Sequence, residues 1–480
     1  MKNSKVRVLL ISPYYSFDST LGPHDSIILP PLGLEIIASH ISDLAEVRIL
    51  DNRLRRMDQK RIENIISKFN PQYVGISCNF TSQIYIVYKL ASIAKAQGSQ
   101  VVVGGWHPTV TVDETLSHRS IDIVVRGEGE FTFRELIQNK DPTNVKGLSY
   151  KKKGIIIHNP DRPFQELGYF ELPSRKLRSF NARNTYSYLG FPIDCIETSR
   201  GCPYSCDFCS ICKFYKGSYR RRKIADIISE IKSKEVMNHS GFIFITDDNF
   251  MVNKKYVMEL CNAIISNKII KYFIAQVRVD SVVNHPDVFK KMAEAGFIYL
   301  FLGIESFSDK TLKQRNKQLE FKQIKKAIKL LHDWGYIIHG NIIIGADLDD
   351  TVDNLESTIT IAKTMDIDIP SFSLLTPFPG TELRNIVKKR KLLTNQDWHS
   401  YNWSVPVINY PNLSFDDLKY YLKKAYHEVS AFSHAMRIFT AMLKVHGFKF
   451  HMFRLGSPPI IKSIPSMIKI LLKFYLNRFE

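Results

Sequence analysis

The stretch TSRGCPYSCDFCSI, from Thr198 to Ile211, decides the fold expected for the second half of the chain. It holds three thiols within eight residues, because Cys202, Cys206 and Cys209 are separated by three and then by two residues. Three thiolates on one short loop can ligate three irons of a cubane cluster and leave the fourth iron open. Because an open iron can bind a substrate-like ligand, the stretch predicts a catalytic cluster.

A structural zinc loop is the alternative interpretation of the same stretch. Such zinc sites usually contain two CxxC pairs, and neither a separate second pair nor a His-x3-His motif follows within about fifty residues. Cys212 lies three residues after Cys209 and is a further thiol that could compete as a ligand. The two interpretations differ in the metal they predict, which is iron with sulfide in one case and zinc in the other.

With Phe208 directly before Cys209, the CxxxCxxC spacing resembles the signature of the radical S-adenosylmethionine (SAM) enzymes. In that superfamily the open iron chelates the amino and carboxylate groups of SAM, and reductive cleavage yields a 5'-deoxyadenosyl radical. The resemblance implies that Cys202, Cys206 and Cys209 are the metal ligands of a 4Fe-4S cluster. It also implies that Cys212 is a packed or nearby free thiol.

The composition describes a folded protein of more than one domain. The chain has 480 residues, 44% apolar and 24% charged, and a chain of this length is expected to form two or three domains. Seven cysteines, three of them clustered, suit a reducing cytosol, so a cytoplasmic location is expected. The apolar run near the amino terminus is only about six residues long and predicts a first strand, and no uninterrupted apolar run of about 18 residues occurs.

The formal net charge of +19 predicts attraction to something anionic. Nucleic acid, an acidic lipid surface and a phosphorylated or carboxylated substrate all remain open on this ground, because net charge informs on partners and not on fold.

The amino-terminal third alternates short apolar runs with segments of helical period, which is typical of a parallel sheet with crossover helices. The predicted strands are Val6–Ser12, Val47–Asp51, Tyr73–Asn79, Val101–Gly105 and Ile121–Arg126, and the predicted helices are Pro31–Ser42, Gln59–Lys68 and Gln83–Gln97. Five parallel strands make a flavodoxin-like, doubly wound unit whose ligand is expected at the carboxyl ends of the strands.

The stretches PPLGLEIIAS, VGISCNFTS, GGWHPT and VVRGEGE are similar to the cobalamin-binding domain of one large branch of the radical SAM enzymes. The resemblance covers roughly the first 135 residues and implies a cobalamin site at the strand ends. The candidate residues are Asp51, Ser77, Gly104, Gly105, His107, Gly127 and Glu128.

One departure from the cobalamin-domain pattern matters. Domains that ligate cobalt from below carry Asp-x-His-x-x-Gly after the second strand, whereas this chain has Arg53 where that His would stand. The resemblance therefore implies cobalamin held without a protein His on cobalt. His107 is expected in a loop at the ligand edge, with a solvated or capping role and a cofactor contact both open.

After a connector with a β-hairpin at Gly147–Asn159, strand and helix alternation resumes. The predicted strands are Asp194–Thr198, Phe242–Asp247, Tyr272–Val279, Ile298–Glu305, Ile337–Gly345 and Ser371–Thr376, and the predicted helices are Ile224–Glu235, Lys254–Ser266, His285–Glu294, Phe321–Trp334 and Asp353–Met365. Six strands with intervening helices correspond to the open (β/α)6 barrel of the superfamily, whose chemistry sits at the carboxyl-terminal rim.

The SAM site implied by the resemblance takes residues from successive strand ends. Asp247 and Asp248 stand where many relatives carry Gly-Gly-Glu for the SAM amino group, and Arg278 is placed for a two-pronged bond to the SAM carboxylate. Glu305, in the family's Gly-x-Glu-Ser, is a candidate for a ribose or amine contact. Ser306 and Gly345 complete the set of candidate SAM-binding residues. A single charged residue at a strand end is, however, more often an ion-pair partner than a ligand.

The carboxyl-terminal region is expected to be helical, with segments at Phe415–Val429 and Phe432–Val445. The last segment, Ile461–Glu480, carries one narrow polar stripe with several lysines on an otherwise apolar surface. Such a helix can lie in the interface of an anionic membrane or dock on the barrel, and both remain open. The expected domains are 1–138 for cobalamin, 139–190 for the linker, 191–393 for the barrel and 394–480 for the helical region.

Together the cysteine loop and the family resemblance imply an enzyme with a 4Fe-4S cluster, SAM and cobalamin. It would abstract hydrogen from an unactivated carbon of a lipid-like or secondary-metabolite substrate, most simply for C-methylation, with an external donor such as flavodoxin or ferredoxin supplying electrons. Alternatively, the substrate radical is oxidised to form a ring, as in the porphyrin-ring cyclases of the same branch. This branch also contains hopanoid methylases.

Two less favoured functions make their own predictions. Methylthiolation of tRNA suits the positive charge, but those enzymes carry three more cysteines in the amino-terminal domain, where this chain has only Cys78, so a nucleic-acid partner is not expected. A basic binding protein with a zinc loop is the non-enzymatic alternative.

Overall fold

The computed structural model describes residues 5–14, 27–53, 57–178, 186–188, 191–237, 240–394 and 397–429. These residues divide into two compact units. The first is drawn from Met1–Ser16, Pro30–Thr185 and Asp397–Asn402, and the second from Phe17–Leu29, Tyr186–Gln396 and Trp403–Glu480.

The strands follow one another along the chain in short, mostly apolar segments. They are β1 Val6–Ser12, β2 Ile27–Ile28, β3 Ala45–Asp51, β4 Tyr73–Ser77, β5 Gln100–Gly104, β6 Ile123–Val125, β7 Leu148–Lys152, β8 Ile155–His158, β9 Ser187–Tyr188, β10 Phe191–Ile196, β11 Ser199–Arg200, β12 Arg220–Arg221, β13 Phe242–Ile245, β14 Tyr272–Arg278, β15 Phe297–Glu305, β16 Ile337–Ile344 and β17 Ile369–Leu374.

The α-helices lie mainly between these strands. They are α1 Leu32–Ile41, α2 Gln59–Phe69, α3 Ile84–Ala96, α4 Trp106–Val110, α5 Val112–Ser117, α6 Glu130–Asn139, α7 Ile211–Phe214, α8 Ile224–Ile231, α9 Lys234–Met237, α10 Lys254–Ser266, α11 Val279–Asn284, α12 Pro286–Glu294, α13 Asp309–Gln314, α14 Phe321–Asp333, α15 Val352–Thr364, α16 Glu382–Lys389 and α17 Phe415–Val429.

The sheet of the first unit has the strand order β3-β1-β4-β5-β6-β7-β8. The first five of these strands are parallel, which confirms the predicted flavodoxin-like order. The hairpin predicted in the connector is formed by β7 and β8, and it pairs antiparallel onto β6. It therefore extends this sheet.

The core of the first unit explains why its strands are continuous apolar runs in the sequence. Parallel strands covered by helices on both faces must be apolar on both sides. Val8 to Ile11 are almost completely buried, and helices α1 and α6 pack together over one face with Ile41 and Phe133 in the core. Each such side chain stabilises the fold by about 1.5–3 kcal/mol.

The sheet of the second unit has the order β17-β16-β15-β14-β13-β10-β9-β2. Six strands, β10 and β13 to β17, are parallel and in chain order, and they form a curled half-barrel. This confirms the predicted (β/α)6 architecture. The short strands β9 and β2 continue the sheet beyond β10 in antiparallel pairs.

The structure also corrects the helix assignment in places. The predicted helix Ile224–Glu235 is interrupted, because α8 ends at Ile231 and a separate turn, α9, follows. Helices α13 and α16 were not predicted, although each begins at a capping residue. The Ser308 side chain accepts a hydrogen bond from the Thr311 N–H, and Thr381 does the same for Arg384. These caps were the sequence signal for both helices.

Helix α17 confirms the prediction for Phe415–Val429 and packs against α15 and β17. The Tyr426 hydroxyl accepts from the Phe372 N–H at 3.1 Å and donates to its carbonyl at 2.7 Å. The predicted segments Phe432–Val445 and Ile461–Glu480 lie outside the described residues. Within the described ranges, no helix is both long enough and apolar enough to cross a bilayer.

Candidate functional site

The three-cysteine loop runs between β11 and α7, just beyond the carboxyl end of the first barrel strand, β10. Cys206 is buried, Cys202 and Cys209 are half-buried, and the Cys209 N–H donates to the Cys206 carbonyl at 3.1 Å. Gly201 begins the loop with a φ of 89°, and a Cβ there would overlap the carbonyl oxygen of Ser218. The loop conformation therefore requires glycine at this position.

The donor set of this loop fits a cubane cluster. In the part of the chain that the structure describes, no three His, Cys, Asp or Glu side chains converge on a position for a single metal ion. A cubane instead takes each thiolate on a different iron. Burial raises the pKa of the Cys209 thiol to about 12 and also raises that of Cys202. Ligation requires thiolates, so a nearby positive charge or the metal itself must lower the thiol pKa values that burial raises.

Arg278, at the end of β14, provides such a charge. Its Nη1 lies 3.8 Å from the sulfur of Cys206, and its guanidinium stacks 3.8 Å from the centre of the Tyr204 ring. Nε and Nη2 donate to the two carboxylate oxygens of Asp280 at 2.9 and 3.2 Å. The two-pronged face predicted to bind the SAM carboxylate is thus engaged by Asp280. Sequence reasoning missed this partner although it is only two residues away.

Glu305 ends β15 and forms a buried ion pair that the sequence did not predict. Its Oε1 accepts from the Nζ of Lys317 at 2.7 Å, and both side chains are nearly inaccessible to solvent. Burial disfavours the Lys317 ammonium, but the negative charges of Glu305 and Cys206 outweigh it and raise the lysine pKa.

The geometry around this ion pair is tightly constrained. Glu305 has a φ of 65°, and the pairing of β15 with β16 is irregular between Gly303 and Glu305. A Cβ on Gly303 would approach the Glu305 Oε1 to 2.7 Å and the Lys317 Nζ to 2.8 Å. No periodicity or motif points to Lys317, because it reaches the site from the loop after α13.

The paired aspartates after β13 support the cysteine loop. Asp247 is fully buried and accepts from the Thr198 N–H at 2.7 Å, from the Thr198 hydroxyl at 2.5 Å and from the Ser199 hydroxyl. Asp248 accepts from the Gly201 N–H at 2.9 Å. Burial raises the pKa of both carboxyls, that of Asp248 to about 6. Both residues predicted to hold the SAM amino group therefore anchor the start of the loop.

Ser306 and Gly345 lie at the same rim. Ser306 is buried, and its hydroxyl accepts from the Ser308 N–H at 3.1 Å. Gly345 has a φ of 69°, and its carbonyl accepts from the Tyr410 hydroxyl at 2.6 Å. The structure thus brings all six predicted SAM-site residues to the carboxyl ends of β13 to β16.

The predicted cobalamin residues likewise collect at the carboxyl edge of the first sheet. Asp51 ends β3 and forms an ion pair with Arg53 at 2.7 Å, and Ser77 ends β4. Gly105 follows β5 with a φ of 112°, and a Cβ there would lie 2.6 Å from the Cys78 carbonyl oxygen. The Gly104–Gly105 turn lets the backbone pass close to its neighbours, which suits an edge that receives a large ligand.

His107 and the turn after β6 complete this edge. His107 is completely buried in helix α4, so the prediction that it lies in a loop is wrong. Its ring stands edge-on to Trp398 with centroids 5.3 Å apart, because the segment Asp397–Asn402 is part of the first unit. Gly127 has a φ of 70° and donates its N–H to the Thr109 hydroxyl at 3.1 Å, and Glu128 follows it half-buried.

Comparison with known proteins gives two family matches along the chain. The B12 binding domain family matches residues 26–137, and the radical SAM superfamily matches residues 196–359. An uncharacterized methyltransferase of Pyrococcus horikoshii is 33% identical over 427 residues, covering 87% of this chain and 91% of that protein.

A more distant relative and a solved structure extend these matches. The anaerobic magnesium-protoporphyrin IX monomethyl ester cyclase of Rubrivivax gelatinosus is 25% identical over 423 residues, covering 84% of this chain and 73% of that enzyme. The structure of the cobalamin-dependent SAM radical enzyme OxsB, with aqua-cobalamin and SAM bound, has a TM-score of 0.69 at 18% identity. It covers 97% of this chain and 72% of that chain, so the two share a fold.

Proposed function

Because this chain belongs to the radical SAM enzymes that carry a cobalamin-binding domain, we propose that it methylates an unactivated carbon of a lipid-like or secondary-metabolite substrate. Its cofactors are a 4Fe-4S cluster, SAM and cobalamin. When bound, they supply a 5'-deoxyadenosyl radical that abstracts hydrogen, and a methyl group for the resulting carbon radical. The relative named a methyltransferase, at 33% identity, supports methyl transfer as the outcome.

The observation that carries the proposal is the three-thiol loop at the rim of the half-barrel. In this assignment Cys202, Cys206 and Cys209 hold the cluster. Asp247 fixes the entry to the loop through Thr198 and Ser199. The chain thereby fixes the start of the loop that carries the three sulfurs.

The remaining rim residues are assigned to SAM and its surroundings. Asp248 keeps one carboxylate oxygen for the Gly201 N–H and offers the other to an ammonium group. Glu305, Ser306 and Gly345 line the ends of β15 and β16, where the nucleoside part of SAM would bind. Arg278 is assigned to the sulfur of Cys206, because Asp280 engages its two-pronged face.

In the first unit, cobalamin is assigned to the carboxyl edge of the parallel strands. The turns at Gly104–Gly105 and Gly127, in which Gly105 and Gly127 have positive φ, would let the backbone lie close to the corrin. Asp51, Ser77, His107 and Glu128 are assigned to the same edge. His107 would act from within the core, because it is buried against Trp398.

Oxidative ring formation is the second candidate function. The cyclase relative, whose match spans 84% of this chain, favours it. The two functions use the same hydrogen abstraction and differ in the fate of the carbon radical, since cyclisation removes a further electron and proton and transfers no methyl group. A small-molecule substrate suits both; an external electron donor and a peripheral membrane contact remain predictions.

The test begins with anaerobic reconstitution, followed by analysis of iron, sulfide, zinc and corrinoid. Under reduction with SAM, the protein is expected to form 5'-deoxyadenosine. The Cys206→Ala variant should lose this activity and cluster iron but keep corrinoid binding. The Cys212→Ala variant, which removes a neighbouring thiol, should keep 5'-deoxyadenosine formation, cluster iron and corrinoid binding. Zinc without iron, or an intact cluster in Cys206→Ala, would refute the assignment.

A second experiment separates methylation from cyclisation. The holoenzyme is incubated with SAM that carries a deuterated methyl group and with metabolite fractions from the producing cell. A product with an intact deuterated methyl group supports C-methylation. A product that has lost hydrogen and gained no label supports ring formation instead.

A further inference from the structure

Two cationic side chains approach the same cysteine of the loop from different elements. Arg278 comes from the end of β14, and its Nη1 is 3.8 Å from the sulfur of Cys206. Lys317 comes from the loop after α13, and this loop contacts the cysteine loop directly, because the Asn316 side chain donates to the Ser205 carbonyl at 3.0 Å. Interaction with Cys206 is one of the causes that raise the Lys317 pKa. The Arg278 Nη2 donates to the Lys317 carbonyl at 2.6 Å, which ties the two residues together.

Each cation is held by its own carboxylate. Asp280 binds Arg278 through two hydrogen bonds, and Glu305 binds Lys317 at 2.7 Å. The side chains of Arg278 and Lys317 are only 7% and 8% exposed, so water screens their charges poorly. This differs from the ordinary surface ion pair, whose electrostatic effect on a neighbouring group is small.

From this arrangement we propose that Arg278 and Lys317 form a cationic bracket on Cys206 that makes the cluster easier to reduce. The inference rests on the assignment of Cys206 as a cluster ligand. Reduction adds one electron, supplied by an external low-potential donor, and so makes the cluster one charge more negative. Nearby buried cations stabilise the reduced form more than the oxidised form, which raises the reduction potential.

Lys317 is the residue on which the bracket can be tested. It was not among the site residues predicted from the sequence, and it acts on the cluster through the field it creates and not as a ligand. Lys313 provides a matched control, because it lies in α13 only four residues earlier and is exposed to solvent. Replacing either lysine by methionine removes the same charge and retains an unbranched side chain.

The experiment is a redox titration of the reconstituted holoenzyme without SAM, followed by electron paramagnetic resonance. In Lys317→Met the ratio of reduced to oxidised cluster at a fixed potential should fall about tenfold, or about 59 mV for a one-electron couple. Lys317→Arg and Lys313→Met should resemble the wild type. Glu305→Gln, which leaves the lysine charge uncompensated, should shift the titration in the opposite direction.

The outcomes separate the bracket from the cluster assignment. If the wild type assembles no cluster, the proposed function fails. If Lys317→Met has normal iron and sulfide but titrates like the wild type, the bracket is refuted. A loss of SAM affinity in Lys317→Met without a change in the SAM-free titration also refutes it and assigns the lysine to SAM. If Lys317→Met does not assemble a cluster, the titration of Glu305→Gln decides between the outcomes. The proposal is then refuted if the reduction potential of Glu305→Gln is not higher than that of the wild type.

Discussion

Asp247 accepts two hydrogen bonds from Thr198, one from its backbone N–H at 2.7 Å and one from its hydroxyl at 2.5 Å. The pair joins the end of the second barrel strand to the end of the first, where the cysteine loop begins. The Ser199 hydroxyl donates a third hydrogen bond to this buried carboxylate. The position of the loop therefore depends on a side chain 49 residues away along the chain.

Replacing Asp247 by alanine should strongly destabilise the second unit. The change leaves the three buried donors of Thr198 and Ser199 without their acceptor, and each such donor costs about 1–3 kcal/mol. We expect a loss of at least about 3 kcal/mol in unfolding free energy, measured by urea denaturation of the metal-free protein. Asp226→Ala, at an exposed position of α8, should change it by less than about 0.5 kcal/mol. Equal effects of the two changes would contradict the anchoring role.

Asp350 should make the stability depend on pH. Burial, with the neighbouring charge of Asp347, raises the pKa of Asp350 to about 6, above the ordinary value of 3.8. The folded state therefore disfavours the ionised carboxylate, and this cost is fully present above about pH 6 and disappears below about pH 4. Asp350→Asn should be more stable than the wild type at pH 8 by up to about 3 kcal/mol.

The comparison of Asp350→Asn with the wild type is made by thermal unfolding from pH 4 to pH 8. The amide can still accept the hydrogen bond that the Asp347 N–H donates at 3.1 Å. The advantage of the variant should shrink as the pH falls through 6. A difference that stays constant across this range would contradict the raised pKa.

Gly105→Ala should disrupt the carboxyl edge of the first sheet. A φ of 112° is unfavourable for alanine, and its Cβ would lie 2.6 Å from the Cys78 carbonyl oxygen. We expect a destabilisation of roughly 3 kcal/mol or more and weaker corrinoid binding, followed by thermal unfolding and by corrinoid absorbance. Gly98→Ala is the control, because it has a φ of 82° but open space around the Cβ, and it should cost about 1 kcal/mol.

Trp398 should stabilise the first unit although it lies far along the chain. Its indole N–H donates to Glu114, and its ring packs against His107 and Tyr401. Trp398→Ala should cost about 3–5 kcal/mol, whereas Trp398→Phe, which keeps most of the packing, should cost about 1 kcal/mol. Hydrogen exchange measured by mass spectrometry should quicken in β4 and β5 of the alanine variant. Unchanged exchange there would show that Trp398 does not support this sheet.

The sequence was sufficient to predict the architecture of both units. Parallel strands buried on both faces leave continuous apolar runs, and amphipathic helices leave a period near 3.6, so both signals are local. Helices α10 and α17 have the predicted bounds, and the flavodoxin-like sheet and the half-barrel were expected from the same alternation. The three-cysteine loop could also be predicted from the sequence, because its three cysteines lie within eight residues.

The pairing of the charged residues at the rim could not be predicted in this way. Asp280 accepts hydrogen bonds from the guanidinium of Arg278, and Lys317 forms an ion pair with Glu305. Asp247 was expected to bind SAM, but it anchors the cysteine loop through Thr198. Strand order places such residues at one edge, but which oxygen meets which nitrogen depends on loop conformations such as the bulge at Glu305.

The sequence by itself thus determined the two α/β units, the cysteine loop and the strand edges at which ligand binding is predicted, because periodicity and short spacing are properties of neighbouring residues. Only the tertiary structure decided that Arg278 lies beside Cys206 and binds the Lys317 carbonyl, and that Trp398 completes the first unit, 284 residues after Glu114. These contacts depend on how distant segments pack in space, and burial then makes each unpaired charge costly enough to select its partner.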